Sequence, residues 1–357
     1  MARVVVIFGG KSGEHEVSLA SAQAVMAALE SDGRHEVVPV GITKEGRWLS
    51  SADPMKELSD PTNGELTERA NEASSSSVVA APVVSETLPK NLGPADVVFP
   101  VMHGPFGEDG RMQGFLEMAG VPYVGSGVLG SAVSMDKITM KKVFAQHGLP
   151  QVGWVGLTRR EWAKNRENSL GSVEAALGFP CFVKPSNLGS SVGINRADDR
   201  ETLIKALEEA FTHDRRVIVE QFVDAREVEV SVLGNDEPEV SLPGEILLAS
   251  EGFYDYEAKY GESGMKLVVP AEIPGETATE IASVAKEAFT AVDAAGMSRI
   301  DFFVERETGE LFLNEVNTIP GFTETSVYAK LWESSGLAYA DLLDRLISLA
   351  LERHAEG

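Results

Sequence analysis

The stretch that most constrains this chain is residues 299–327, RIDFFVERETGELFLNEVNTIPGFTETSV. RIDFFVE and ELFLNEVN are dominated by apolar residues, and ETG between them is a tight-turn sequence. The spacing predicts a two-stranded hairpin. Side chains alternate along a strand. Asp301 lies in the first arm, with Arg299 two residues before it on the same face. Glu315 and Asn317 end the second arm, two apart, and point the same way. Two carboxylates and an amide make an all-oxygen donor set, which suits Mg²⁺ better than zinc. Asn317 runs into TIPGF, a Pro-Gly loop that presents backbone N–H groups. A cation, metal-binding acids and a glycine loop in one place are what nucleotide-driven phosphoryl transfer needs. A surface hairpin with solvated acids explains any one of these residues singly, but not the set.

A chain of 357 residues has room for two or three domains. Its 31 basic and 55 acidic residues give a formal charge of −24. That argues against nucleic acid or an anionic membrane surface as partner. ATP remains compatible, because a local group of lysines can invert the field inside a cleft. The single cysteine, Cys181, excludes an internal disulfide and a cysteine-rich metal site. No apolar run approaches the ~18 residues of a membrane helix. The chain opens directly on the strand RVVVIF, without a signal peptide before it, so the expected location is the cytoplasm.

Residues 3–8 read as a buried parallel strand, followed by GGKSGEHE, a helix from Val17 to Leu29 and a second strand at 35–40. Strand, glycine turn, helix and strand begin a doubly wound α/β unit. The turn is neither a Walker A motif nor G-x-G-x-x-G. It marks a close approach to a ligand cleft, with Glu14 just outside the strand end. DVVFPVMHG at 96–104 is a further buried strand ending at His103, and VPYVG is a short one. Residues 50–95 carry Pro54, Pro61, Asn63-Gly64 and Ser74–Ser77 and read as a surface insertion with one strand at 78–84.

In the middle of the chain, SMDKITMKKVFAQHG is a helix and QVGWVGL a strand. CFVKPSNLGSSVGI is a strand ending in Lys184 and a Gly/Ser loop. Gly189, Ser190, Ser191 and Gly193 let backbone approach an anion, with Lys184 as point charge. Helix TLIKALEEAF and strand RVIVEQFV follow. Glu220 to Val223 fit an interdomain linker along an adenine slot. REVEVSVLG and PEVSLPGEI are antiparallel strands. FYDYEAKYGESG, aromatic and glycine-ended, reads as a lid spanning 251–264, with Lys259 and Tyr260 as its chemical residues. A partner-binding loop is the plainer reading of that segment.

Taken together, GGKSGEHEVSL, HGPFGEDG, GSG…SMDK, VKPSNLGSSVG, FYDYEAKY, GMSRIDFFV and NEVNTIPGFTETS resemble the ATP-grasp superfamily. Within it they resemble the D-alanine–D-alanine ligases, in the same order along nearly the whole chain. The resemblance implies a three-domain α/β architecture. A doubly wound substrate domain at 1–125 carries the insertion, and two ATP-grasp domains at 126–223 and 224–357 clasp ATP. It implies that ATP phosphorylates one D-alanine, that a second attacks the acyl phosphate, and that the dipeptide serves peptidoglycan synthesis. The alternative within the superfamily is a D-alanine–D-lactate ligase, whose lid contains His and differs in sequence, while this chain keeps Tyr260. A different class, a non-catalytic nucleotide-binding regulator, has no need of the metal acids or Arg299.

Residue by residue, the resemblance assigns Lys137, Lys184 and Lys259 to the nucleotide phosphates, in a pocket that also includes Ser191 and Asn314. It assigns Glu220, Phe222, Val223 and Glu227 to adenine and ribose. Asp301, Glu315 and Asn317 would hold two Mg²⁺ or Mn²⁺ ions. Arg299 and the Gly321 N–H would meet the tetrahedral oxyanion. Glu14 would take the first D-alanine's ammonium and Ser326 the second's carboxylate. Ser190 and Tyr260 would hydrogen-bond with Glu14 and latch the lid, and His103 would sit near the first substrate. A homodimer is implied as well. Two departures stand out, Gln221-Phe222 where some members have Lys-Trp, and Val327 where many have Leu.

Overall fold

The structure, a computed structural model, describes residues 1–31, 33–49, 53–59, 95–189, 192–248 and 265–356. The expected strand at 78–84 and lid at 251–264 lie outside the described residues, as do Ser190, Ser191, Lys259 and Tyr260.

The first sheet is built from β1 (Arg3–Gly9), α1 (His15–Ser31), β2 (Glu36–Ile42), β3 (Trp48–Leu49), α2 (Pro54–Ser59), β4 (Val97–Val101) and α3 (Arg111–Ala119). Strand order is β3-β2-β1-β4, with β1 parallel to both neighbours and β3 an antiparallel edge. The unbroken apolar run of β1 has a simple cause, since both faces are covered. Val4, Val6 and Phe8 pack with Leu19, Ala22 and Val25 of α1. Val5 and Ile7 pack with Met112 and Leu116 of α3. Each of the larger of these side chains, removed from water, stabilises by about 1.5–3 kcal/mol. VPYVG departs from expectation. It forms only an isolated parallel bridge, Val98 to Tyr123. Pro122 has no N–H to donate to a ladder, and Gly120 and Gly125, at φ 65° and 100°, turn the chain away on either side.

The second sheet follows α4 (Val128–Met135) and α5 (Lys137–Gln146). Its elements are β5 (Trp154–Thr158), α6 (Arg159–Lys164), α7 (Arg166–Leu177), β6 (Cys181–Pro185), β7 (Asn195–Ala197), α8 (Arg200–His213) and β8 (Arg216–Gln221). It is antiparallel, in the order β5-β8-β6-β7. Asp136 caps α5 by accepting from the Thr139 N–H at 2.9 Å. Helices α6 and α7, absent from the sequence reading, each start at a cap, Thr158 with Glu161 as a capping box and then Asn165.

The third sheet contains β9 (Ala225–Gly234), β10 (Glu239–Val240), β11 (Gly244–Leu248), β12 (Met265–Val268), α9 (Gly275–Ala291), β13 (Gly296–Glu305) and β14 (Leu311–Asn317). The order is β12-β11-β9-β13-β14, with β10 on β9. The expected single strand PEVSLPGEI is two strands, because Pro243 lies between them and cannot donate. One face packs on α9 through Val228, Val230, Ile300, Phe302, Leu313 and Val316. The opposite face, polar in sequence, is left for the site. Last come α10 (Val327–Ser334) and α11 (Tyr339–Glu356). Leu342, Leu346 and Ile347 of α11 share one core with Val4, Val6 and Phe8 of β1 and with Phe322. The loop after β14 is thereby held between the first and third sheets.

Candidate active site

All the described candidate residues line one cavity of about 990 Å³ between the three sheets. Its floor is the polar face of β9, β13 and β14. Asp301 pairs across the ladder with Glu229 on one side and Glu315 on the other. Arg299 pairs with Asn317. Directly opposite residues share a face, so three carboxylates, a guanidinium and an amide stand together.

Register is interrupted between Asp301 and Phe302, where Asn314 is an extra residue on β14. The bulge lets Leu311, Leu313 and Val316 all reach the core while Asn314, Glu315 and Asn317 line the cavity. Bulges recur at sites for this reason, re-aiming a side chain at a chosen point of a ladder.

Arg299 grips Asp301 as a fork, Nε to Oδ1 and Nη2 to Oδ2, each at 2.7 Å. Its Nε also lies 3.0 Å from Glu229 Oε2. The Asn317 amide donates to Asp301 Oδ2 at 3.0 Å. Lys137, at the start of α5, places Nζ 3.3 Å from Glu315 Oε2 and donates to the Leu188 carbonyl at 3.1 Å. Protein cations thus stand against the acids expected to meet metal. Among the described residues no three His, Cys, Asp or Glu side chains form a metal cage. The donor set of Asp301, Glu315 and Asn317 still fits Mg²⁺, which nucleotide sites hold with one or two carboxylates plus phosphate oxygens.

The opposite wall carries a buried ion triad. Glu220 on β8 lies 2.8 Å from Lys141 Nζ and 2.6 Å from Lys184 Nζ. Burial pushes the Glu220 carboxyl up, but the two lysines outweigh it and bring it down to about 2. Burial likewise pulls Lys184 down, yet Glu220, Glu315 and Glu227 leave it raised, hence protonated. Glu220 belongs to a strand rather than a linker. Phe222 and Val223, just past its end, and Glu227 on β9 line the cavity.

At the other end, Glu14 lies so close to Gly104 (φ 72°) that a Cβ there would stand 2.5 Å from its Oε2. Glu108 accepts from the Gly104 N–H. Burial first, then the neighbouring Glu14, push the Glu108 carboxyl up to about 8. His103 is buried at 3% exposure, and burial lowers its pKa despite Glu14. Gly321 sits beside Ser326, whose Oγ accepts from the Thr323 N–H at 3.0 Å. Ser326 opens α10, whose free N–H groups and dipole favour a carboxylate.

Sequence reasoning passed over Lys141, Glu229, Glu108 and Ser21. Lys141 had a signal, since it is one helical turn after Lys137. Glu229 had one too, in the alternation of REVEVSV. Glu108 lay within the quoted HGPFGEDG. Ser21 is one of two serines on the buried stripe of α1, and nothing local distinguishes it.

Residues 3–126 match the family described as D-ala D-ala ligase N-terminus, and 143–348 the D-ala D-ala ligase C-terminus. A D-alanine–D-alanine ligase from Ruminiclostridium cellulolyticum is 47% identical over 99% of this chain and 96% of its own. One from Bacillus cytotoxicus is 47% identical over 98% and 96%. Among solved structures, the Coxiella burnetii D-alanine–D-alanine ligase superposes with a TM-score of 0.81 at 34% identity, covering 99% of this chain and 95% of that one. The VanG D-Ala:D-Ser ligase from Enterococcus faecalis gives 0.80 at 37%, covering 98% and 99%.

Proposed function

The chain belongs to the D-alanine–D-alanine ligase family, and from that premise we propose how its cleft joins two D-alanines at the expense of ATP. It is an ATP-dependent carboxylate–amine ligase of peptidoglycan synthesis. The D-lactate alternative is not favoured, since the full-length relatives are named for the dipeptide. The observation that carries the mechanism is the row Glu229, Asp301, Glu315 with Arg299 and Asn317, facing Lys137 and Lys184 across one cavity.

In this reading Lys137 and Lys184 turn from Glu315 and Glu220 to the nucleotide phosphates. Lys141 stays behind and holds Glu220, with Phe222, Val223 and Glu227, toward adenine and ribose. Asn314 adds an amide near the phosphates. Asp301, Glu315 and Asn317 would hold Mg²⁺ or Mn²⁺, which neutralises charge on the transferring phosphoryl group. Glu14 takes the first D-alanine's ammonium, leaving its carboxylate to be phosphorylated. Ser326 and the N-terminus of α10 seat the second D-alanine's carboxylate. Its amine attacks the acyl phosphate, and the oxyanion forms against Arg299 and the Gly321 N–H. Phosphate then leaves. No enzyme nucleophile is needed, because positioning and charge do the work. Ser190, Ser191, Lys259 and Tyr260 complete the phosphate grip and latch by family position.

The same reading divides the chain at about 125 and 223, supported by the three sheets, and makes the protein a cytoplasmic homodimer. No described helix is long and apolar enough to cross a membrane. The test is phosphate release with ATP, Mg²⁺ and D-alanine, alone or together with D-serine, D-lactate or L-alanine, with product analysis. Phosphate release and dipeptide with D-alanine alone are expected. Ester or a D-Ala-D-Ser product in preference would overturn the choice of second substrate.

A further inference from the structure

His103 is buried with both ring nitrogens engaged. Nδ1 lies 3.0 Å from the Ile319 carbonyl and Nε2 lies 3.1 Å from Ser21 Oγ. Ser21, fully buried on α1, also accepts from the Phe322 N–H at 3.2 Å. The directions follow from the chemistry of each group. A carbonyl only accepts, so Nδ1 carries the proton. A neutral imidazole then has a bare Nε2, which accepts from the Ser21 hydroxyl. That leaves the Ser21 oxygen to accept from Phe322. The chain of bonds runs Phe322 N–H, Ser21 O–H, His103, Ile319 C=O. It closes on one loop.

Its two ends flank Pro320-Gly321. Pro320 has no N–H, and Gly321 N–H donates to no group among the described residues. The Phe322 carbonyl is fixed as well, by the Tyr339 hydroxyl at 2.8 Å. Ile319 and Phe322 sink their side chains into the core shared with β1. The peptide between them is thus clamped on both sides, and Gly321 lines the cavity that Arg299 also lines.

We propose that Ser21 and His103 are positioning residues for the oxyanion site, acting on the reaction through the Gly321 loop and not through contact with substrate. This rests on the reading that Gly321 and Arg299 meet the tetrahedral oxyanion. A donor contributes to a transition state only when held within a few tenths of an ångström of where charge develops. The clamp spans the first sheet and the post-β14 loop, so it couples the domain that seats the first D-alanine to the donor that serves the second step. Because imidazole and hydroxyl are both neutral, the clamp leaves the oxyanion's charge to Arg299.

The test uses Ser21→Ala, His103→Asn, their double variant and Arg299→Met in the full chain, with thermal unfolding to confirm folding. Each is assayed for kcat, for KM of ATP and D-alanine, and for affinity toward a phosphinate analogue of the tetrahedral intermediate. Ser21→Ala removes one hydroxyl without changing shape. His103→Asn keeps a donor for Ile319 and loses the Ser21 arm. The expected result is a fall in kcat of about 10-fold for either, below the ~10²–10³ of losing a whole donor. Both KM values stay within about twofold, and analogue affinity falls by the same factor as kcat. The double variant loses no more than about the larger single effect, as members of one network do. If Arg299→Met weakens the analogue while Ser21→Ala and His103→Asn do not, the clamp proposal is overturned and the oxyanion reading stands. Should Arg299→Met leave the analogue unaffected, the oxyanion reading itself fails and the clamp falls with it. A raised KM for D-alanine at unchanged kcat would place His103 on the substrate and overturn the proposal by the other route.

Discussion

Arg299 and Asp301, two residues apart on β13, hold each other in a two-bonded fork at 2.7 Å per bond. The pair is largely buried, with side chains 15% and 12% exposed. A guanidinium tied this way has little rotamer freedom left to lose during reaction. In the proposed mechanism it is held in place for charge that appears later.

Arg299→Met is therefore expected to reduce kcat by ~10²–10³ while leaving KM for ATP within a few-fold. Steady-state kinetics with ATP varied at saturating D-alanine checks it. A normal kcat with a raised KM for ATP would move Arg299 to ground-state nucleotide binding.

Metal dependence follows from the oxygen donors of Asp301, Glu315 and Asn317. Chelation should abolish turnover, and Mg²⁺ or Mn²⁺ should restore it. Glu315→Gln removes a full charge from the row and should lower activity by at least ~10²-fold even at saturating metal. A Glu315→Gln enzyme that turns over normally in chelator would exclude this cluster as the metal site.

Lys141 is buried at 1% exposure with its charge on Glu220. Removing one partner of a buried pair costs about 3–5 kcal/mol when the other charge is stranded. Here Lys184 still faces Glu220 at 2.6 Å. Lys141→Met should thus sit at or below the lower end, roughly 2–3 kcal/mol in urea unfolding. It should also raise KM for ATP, because Lys184 is then retained by Glu220. The ion triad has a pH signature. The Glu220 carboxyl falls from 4.5 to about 2 on folding, so its stabilisation is present above pH 4.5 and lost as pH falls toward 2. An unchanged acid limb in Lys141→Met would contradict this.

Glu108 has the opposite sign. Folding raises its carboxyl from 4.5 to about 8, so the folded state holds a proton that the unfolded chain releases. Its contribution is complete below pH 4.5 and is lost as pH rises through 8. Glu108→Gln, a permanent neutral mimic, should flatten the fall in unfolding free energy between about pH 4.5 and pH 8. Parallel pH profiles for parent and variant would show that Glu108 ionises freely in the fold.

How much of this was legible from residues alone depends on the range of each interaction. Backbone geometry sets local periods, so the apolar run at 4–8 announced a strand buried on both faces. The hairpin at 299–317 and the shared face of Arg299 and Asp301 followed from alternation and a turn sequence. Alternation also put Glu315 and Asn317 on one face. Continued back to Leu313 and Leu311, however, it would have set those leucines on the same face as the acids. The bulge at Asn314 resolves that conflict, and only the pairing of β14 with β13 places it. VPYVG failed as a strand because pairing, not propensity, decides whether a short apolar run joins a sheet. Lys141 looked like one of several helix lysines until packing sealed it beside Glu220. Ser21 was the least legible of all. Its partner Phe322 is 301 residues away, and His103 reaches Ile319 across 216. No local pattern encodes such contacts. They exist because α11 and the loop after β14 pack back onto the first sheet, where burial obliges each polar group to find its partner.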